Sequence, residues 1–279
     1  MFQVVARALP GTLLFRSHAE ARALWTLLVA RFPEALSLCL MPNHLHVDLP
    51  HDDPAGGLSD VMGAYARFRN HSRSQVGRVW EQRPETRTPE DADHARRLQR
   101  YTLLNPTRAG LVADPLAWPW SSHRDLVGLA DSPLLERAPH AGRHHAWVSG
   151  DPSVHPAGTP LPRVLWHDVE WGMVIDAVCA VTRSFPHELQ RRGHARTLAL
   201  KTAWAHDLRD AGALAAAVGV ERRGVHAAVD GVPPRGAKFA DPALAACVTV
   251  VGDARFSALF LGDLRGVGGW ARSKYRHLR

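Results

Sequence analysis

Residues 40–47 read Leu40-Met41-Pro42-Asn43-His44-Leu45-His46-Val47. A β-strand alternates its side chains between two faces. A strand entered at His44 therefore sends His44 and His46 to one side and Leu45, Val47 and Leu49 to the other. Pro42-Asn43 is turn chemistry, and residues 36–40 before it read as the partner strand of a hairpin. The stretch predicts an antiparallel sheet with one apolar face and one face carrying two imidazoles, the commonest side-chain metal ligands. Taken alone, a His-x-His pair is more often an ordinary polar strand face than a metal site.

Working outward, residues 2–9 read as a strand closed by a Pro10-Gly11 turn. Ser17-His18-Ala19-Glu20 has the form of a capping box ahead of a helix through Arg31, with Leu24, Leu27 and Leu28 on one face. Residues 59–72 predict a second amphipathic helix carrying Tyr65, Arg67, Phe68 and Arg69, and residues 79–81 a short strand. Thr88-Pro89-Glu90-Asp91 predicts a third helix start, with a Thr cap, Pro in the first turn and an acid three residues on. That helix is expected to run to Asn105 and stop at Pro106. The order strand, helix, strand, strand, helix, strand, helix predicts an α+β sandwich, an antiparallel sheet with helices packed on one side. Residues from 128 to about 163 are rich in Pro, Gly, His and Ser without a steady period and read as a linker, partly ordered around Trp147. From residue 164 the pattern is helical. Three parts follow: 1–128, 129–163 and 164–279.

The 279 residues suffice for one large domain or two ordinary ones. A formal charge of +7 and an isoelectric point near 10.0 favour a polyanionic partner, nucleic acid or an anionic membrane surface. Lys occurs only at 201, 238 and 274, so the positive charge is carried by Arg, which grips phosphate with a planar fork. Cys39, Cys179 and Cys247 are odd in number and in no CxxC spacing, which argues against a disulfide framework and for a reducing cytosol. The N-terminus has no basic region followed by an apolar core, so no secretory signal is expected, and no apolar run approaches membrane-spanning length. The expectation is a soluble cytoplasmic protein.

Tyr101 and Asn105 are four apart on the third helix and so lie one above the other. Singly, such a tyrosine is ordinarily core and such an asparagine a helix end. The combination is more specific. His-x-His follows Met-Pro-Asn. Tyr101-x-x-x-Asn105-Pro106-x-Arg108-Ala109-Gly110 comes next, with Leu111-Val112 after it, and then Trp118-Pro119-Trp120-Ser121-Ser122. With Gly77-Arg78-Val79-Trp80-Glu81-Gln82-Arg83 between, the set resembles the REP-associated tyrosine transposase branch of the single-tyrosine HUH transposases, over about residues 1–128.

The resemblance implies a ferredoxin-like core, a divalent cation (Mg²⁺ or Mn²⁺) bound by His44, His46 and Asn105, and Tyr101 as nucleophile. It implies cleavage and rejoining of single-stranded or hairpin DNA through a 5′-phosphotyrosine. The chain would act at the nucleoid as a monomer or homodimer, with the site built within one chain or across two. Two imidazoles and an amide oxygen suit Mg²⁺ or Mn²⁺, with Zn²⁺ left open by ligand type. A phenol with its ordinary pKa of about 10 needs activation. Candidate DNA contacts in this part are Arg67, Arg78, Arg83 and Arg108, with Trp80 and Phe68 as stacking platforms. Two positions depart from the family pattern. Asp48 interrupts the apolar run after His-x-His and is expected to be a solvated strand end, the alternative being an added ligand or its partner. Pro84 stands where relatives carry an aromatic. Tyr65, mid-helix and without an Asn-Pro context, is expected in the core. A DNA-binding regulator that no longer cleaves is the rival reading, although it would not need these four residues, and a third reading, a metal-dependent hydrolase acting through water, would not need Tyr101.

In the third part, residues 213–229 fit a helix-turn-helix that turns at Gly219. Arg222, Arg223 and His226 would face the groove of double-stranded DNA. Together with residues 175–200, this segment resembles the C-terminal DNA-binding domain of the replication initiator DnaA. The alternative is a generic Ala-rich bundle, and Gly224 in the recognition helix, about 1 kcal/mol worse than Ala, counts for it. The tail, with Arg265, Arg272, Lys274, Tyr275, Arg276 and Arg279, reads as a phosphate-tracking segment or a solvated basic end.

Overall fold

The hairpin forms as β2 (Ser37–Met41) and β3 (His44–Leu49), which pair antiparallel across Pro42-Asn43. The structure is a computed structural model that describes residues 1–50, 54–131, 138–150, 168–234 and 237–257. β3 pairs on its other side with β1 (Phe2–Arg7), and β1 pairs with β4 (Glu85–Arg87), giving the order β2-β3-β1-β4, all antiparallel. Helix α1 (His18–Arg31) connects β1 to β2, and α2 (Pro54–Ser72) leads from β3 towards β4. This is the βαββαβ order of a ferredoxin-like sheet.

Strand parity decides what covers each face. Val4, Ala6, Leu38, Leu40, Leu45 and Val47 share a core with Leu24 and Leu28 of α1 and with Leu58, Val61 and Tyr65 of α2. Tyr65 is fully buried, as expected of core, and donates to the Leu14 carbonyl at 2.8 Å. On the other face, Gln3, His46 and Asp48 are buried beneath α3 (Ala92–Arg108).

Several boundaries moved for local reasons. Ser17 caps α1 as expected, accepting from the Glu20 amide. α2 begins ahead of the expected Ser59, because Gly56-Gly57 in its early turns carries no helical pattern. A Cβ at Gly57 would meet the Arg31 guanidinium at 2.6 Å. The strand expected at 79–81 is a single bridge between Trp80 and Ala8, and the fourth strand is Glu-Thr-Arg at 85–87, exposed at all three positions and without apolar alternation. α3 is capped by Asp91, which accepts from the His94 amide at 2.6 Å, rather than by Thr88. It also passes through Pro106 to Arg108. A proline in the last turn forfeits one donor, and burial of Leu103, Leu104 and Pro106 holds the turn until Gly110 takes a positive φ of 72°.

The Trp-Pro-Trp-Ser-Ser segment closes the outer edge of β2. Leu40 donates to the Trp120 carbonyl and Ser122 to the Leu38 carbonyl, both at 2.8 Å, and the Trp118 indole donates to the Leu40 carbonyl at 2.7 Å.

A second core belongs to the helices α6 (Trp171–Thr182), α7 (His194–Ala205), α8 (Ala211–Val218), α9 (Arg222–Val229) and α10 (Pro242–Val250). The short helices α4 (His123–Leu126) and α5 (Ala141–Ser149) precede them, and α11 (Ala254–Ser257) follows. α5 lies within the stretch expected as linker, its Val148 packed on Leu103 and Leu104 of α3. Residues 132–137, 151–163 and the basic tail from 258 lie outside the described residues. The three cysteines are buried and free, and among the described residues no helix is long and apolar enough to cross a membrane.

Arg183, at the end of α6, ties the two cores together. Its guanidinium meets Asp125 at 2.6 Å, donates to the carbonyls of Pro119 and Ser121, and lies 4.3 Å from the Trp25 ring centroid. Asp125→Ala leaves that charge buried and uncompensated, and is expected to cost about 3–5 kcal/mol. Thermal melts check this, with Asp125→Ala/Arg183→Met regaining part of the loss.

His123 and His145 are fully buried with ring nitrogens 2.8 Å apart, and the His144 ring lies 5.6 Å from that of His123. Burial, reinforced by those neighbours, holds His123 well below the usual 6.5. The folded state therefore takes up fewer protons than the unfolded chain as pH falls. Stability is intact above about pH 6.5 and declines below it, by up to about 1.4 kcal/mol per pH unit for this group. His123→Gln is expected to flatten that decline in melts between neutral and mildly acidic pH.

Candidate active site

α3 is held on the polar face of the sheet by side-chain hydrogen bonds. Gln3 donates to Thr102 Oγ1 at 3.0 Å, and Gln99 donates to the Leu36 carbonyl at 3.1 Å. This docking fixes which α3 residues meet the histidines. Asn105 is buried, its side-chain amide nitrogen 2.6 Å from His46 Nε2 and 3.4 Å from His44 Nε2. The two imidazoles meet edge to face at 4.9 Å, and His44 Nδ1 is 2.7 Å from Asn43 Oδ1. One turn before Asn105, the Tyr101 ring lies 5.8 Å from that of His46. Tyr101 is 40 % exposed, so its outer side is open to a substrate, and the Arg108 guanidinium sits 5.2 Å from its ring centroid.

His46 is held well below the usual imidazole range, mainly by burial and further by the charges of His44, Arg7 and Arg87. It is therefore neutral near pH 7, the ligand form. Amide O and N are interchanged by a half-turn, which would direct Asn105 Oδ1 at both Nε2 atoms. The three side chains would then present three neutral donors to one point, a set of the kind that holds a divalent cation with positions left open. Among the described residues no three His, Cys, Asp or Glu side chains gather as a metal cluster. The set present here is two imidazoles and an amide.

Asp48 corrects an expectation. It is fully buried rather than solvated, because it sits opposite both Gln3 and Ser37 in the sheet with α3 above. Burial pushes its carboxyl up to about 6, partly offset by hydrogen bonds from Ser37, Thr102 and Gln3.

No family model matches the chain, and no curated protein matches it. A solved structure of a REP-associated tyrosine transposase bound to a REP hairpin is similar to it. The identity is 17 %, the TM-score is 0.38, and the match covers 45 % of this chain and 78 % of that one. A likeness of this degree does not bear on function.

The remaining candidate residues are scattered. Arg67 is exposed on α2, behind the sheet from the histidines, and Arg78 and Arg83 are exposed in the segment before β4. Trp80 is core rather than a stacking platform: it is buried beside Tyr65, and its indole donates to the Met62 carbonyl at 2.9 Å. Phe68 remains 42 % exposed. Arg222, Arg223 and His226 are exposed on α9, whose Val225 and Val229 are buried, and α8 ends at Gly219 with a φ of 67°. Sequence reading missed Arg7, Glu85 and Arg87, which share the histidine face. The available signal for Arg7 was register, since it sits directly opposite His44.

Proposed function

We propose that this chain cleaves and rejoins single-stranded DNA at structured sites, hairpins of the REP kind, with Tyr101 as the nucleophile. The observation that carries the reading is the convergence of Tyr101 and Asn105, from one helix, on His44 and His46, from one strand. His44, His46 and Asn105 would hold a Mg²⁺ or Mn²⁺ ion, whose charge would offset that developing on a non-bridging phosphate oxygen.

Tyr101 Oη attacks phosphorus in line and loses its proton as the new P–O bond forms. The bond from phosphorus to the 3′ oxygen breaks, and that oxygen takes up a proton to leave a free 3′-OH. The 5′ end is then joined to Tyr101 by a phosphodiester. Attack by a 3′-OH on that linkage reverses the step and releases Tyr101, so strands rejoin without nucleotide hydrolysis. The half-open position of Tyr101 admits the strand, and Arg108 beside it offers a fork to the phosphate. The exposed Arg222, Arg223 and His226 support a second contact, to double-stranded DNA, by the helical part. The resemblance read from the sequence extends the proposal to action at the nucleoid as a monomer or homodimer.

The test is a pool of end-labelled single-stranded hairpins with randomised loops and flanks, incubated with Mn²⁺ or Mg²⁺ and run on a denaturing gel. Cleavage that leaves an extendable 3′-OH and stops in EDTA is expected. Binding without cleavage across the pool would instead favour a regulator.

A further inference from the structure

Arg7 stands opposite His44 in the β1–β3 register, Glu85 opposite Val5, and Arg87 opposite Gln3. Residues opposite one another in a sheet point to the same face, so these three share the face of the histidine pair and Asn105. α3 lies over β2, β3 and β1, beside them. The side chains of Arg7, Glu85 and Arg87 remain 39 %, 44 % and 44 % exposed. Glu85 bridges the arginines, 3.8 Å from Arg7 and 3.0 Å from Arg87. β1 and β4 are one and two strand spacings from β3, about 5 and 10 Å.

We propose that Arg7 and Arg87 form a shelf for the phosphates flanking the cleaved bond of a single DNA strand, and that Glu85 is the counter-ion those phosphates displace. The inference rests on the nuclease reading for what lies at the end of the shelf. Its own content is a backbone contact that needs no chemistry. Exposed Arg–Glu pairs hold weakly, whereas a guanidinium fork matches phosphate in two-pronged geometry. A carboxylate between two such forks attracts them away from the strand and repels the strand itself. Removing it should strengthen binding, which a merely structural ion pair would not do.

The probe is a fluorescent oligothymidylate of about 20 nucleotides, longer than most single-strand site sizes, so that the backbone is read without sequence. Affinity is measured across a salt series in EDTA, which separates binding from cleavage. Glu85→Gln is expected to bind about fivefold more tightly at low salt. Asp60→Asn, the same charge change on α2 behind the sheet, is expected to leave affinity within about twofold. Arg7→Ala/Arg87→Ala is expected to bind about tenfold more weakly and to lower the salt slope by about 1.4, near 0.7 per phosphate lost on a single strand. Asp60, Glu85 and Arg87 are exposed and Arg7 is half-buried, and circular dichroism confirms the fold of each variant. Unchanged or weaker binding by Glu85→Gln, an equal gain in Asp60→Asn, or an unaltered salt slope in the double arginine variant would each overturn the shelf. Hairpin cleavage by the unaltered chain, run in parallel, distinguishes the two proposals. Cleavage without these binding effects sinks the shelf alone, and the binding effects without cleavage sink the nuclease reading alone.

Discussion

Replacing His44 and His46 together by alanine is expected to lower hairpin cleavage at least about a thousandfold while leaving single-strand binding within about threefold. Loss of one preorganised electrostatic stabiliser commonly costs a factor of 10²–10³, and this variant removes two of three proposed donors. Asn105 would also lose the imidazole at 2.6 Å that now fixes its amide. Excess Mn²⁺ should not restore activity, and Mn²⁺ binding by calorimetry should disappear with it. His44→Ala alone is the milder probe, since His46 is buried and His44 is not. Activity that survives the double change would mean that the histidines are only the polar face of a strand.

Tyr101→Phe is expected to abolish cleavage altogether, a loss of at least about a thousandfold, because a phenyl ring has no oxygen to attack phosphorus. The substitution keeps the ring's contact with His46 and its place beneath Arg108. Folding, Mn²⁺ binding and single-strand affinity should therefore match the parent chain. That separation makes the variant informative. Persistence of cleavage would assign the reaction to water, and Tyr101 would then be an aromatic at the rim.

The site was legible in the sequence because its parts obey short periods. His44 and His46 share a face through a period of two, and Tyr101 and Asn105 through a period near four. What the periods do not carry is which sheet face a helix covers. Asp48 read as a solvated strand end, yet Gln3, Ser37 and Thr102 enclose it, and no local pattern announces partners 45, 11 and 54 positions away. Trp80 read as a stacking surface because aromatic type alone does not distinguish a core indole from an exposed one. β4 was missed because Glu-Thr-Arg has no apolar alternation, its place being set by β1 beside it. Pro106 was given too much weight as a helix stop, since buried neighbours keep the last turn of α3 closed. Of α5, only partial order around Trp147 was legible in a His- and Gly-rich stretch, because its helix is held by packing Val148 on α3 rather than by its own pattern.

The most direct test of the account identifies the atom that becomes joined to DNA. A hairpin cleaved in the pool is incubated with the full chain and Mn²⁺, the DNA is trimmed by nuclease, and the protein is digested with trypsin for mass spectrometry. Cleavage after Arg100 and Arg108 isolates residues 101–108, which contain Tyr101 as their only tyrosine. The account predicts a nucleotide linked through phosphate to Tyr101 on that peptide. A nucleotide on Tyr65 or any other residue, or cleaved DNA with no protein-linked nucleotide, would contradict it.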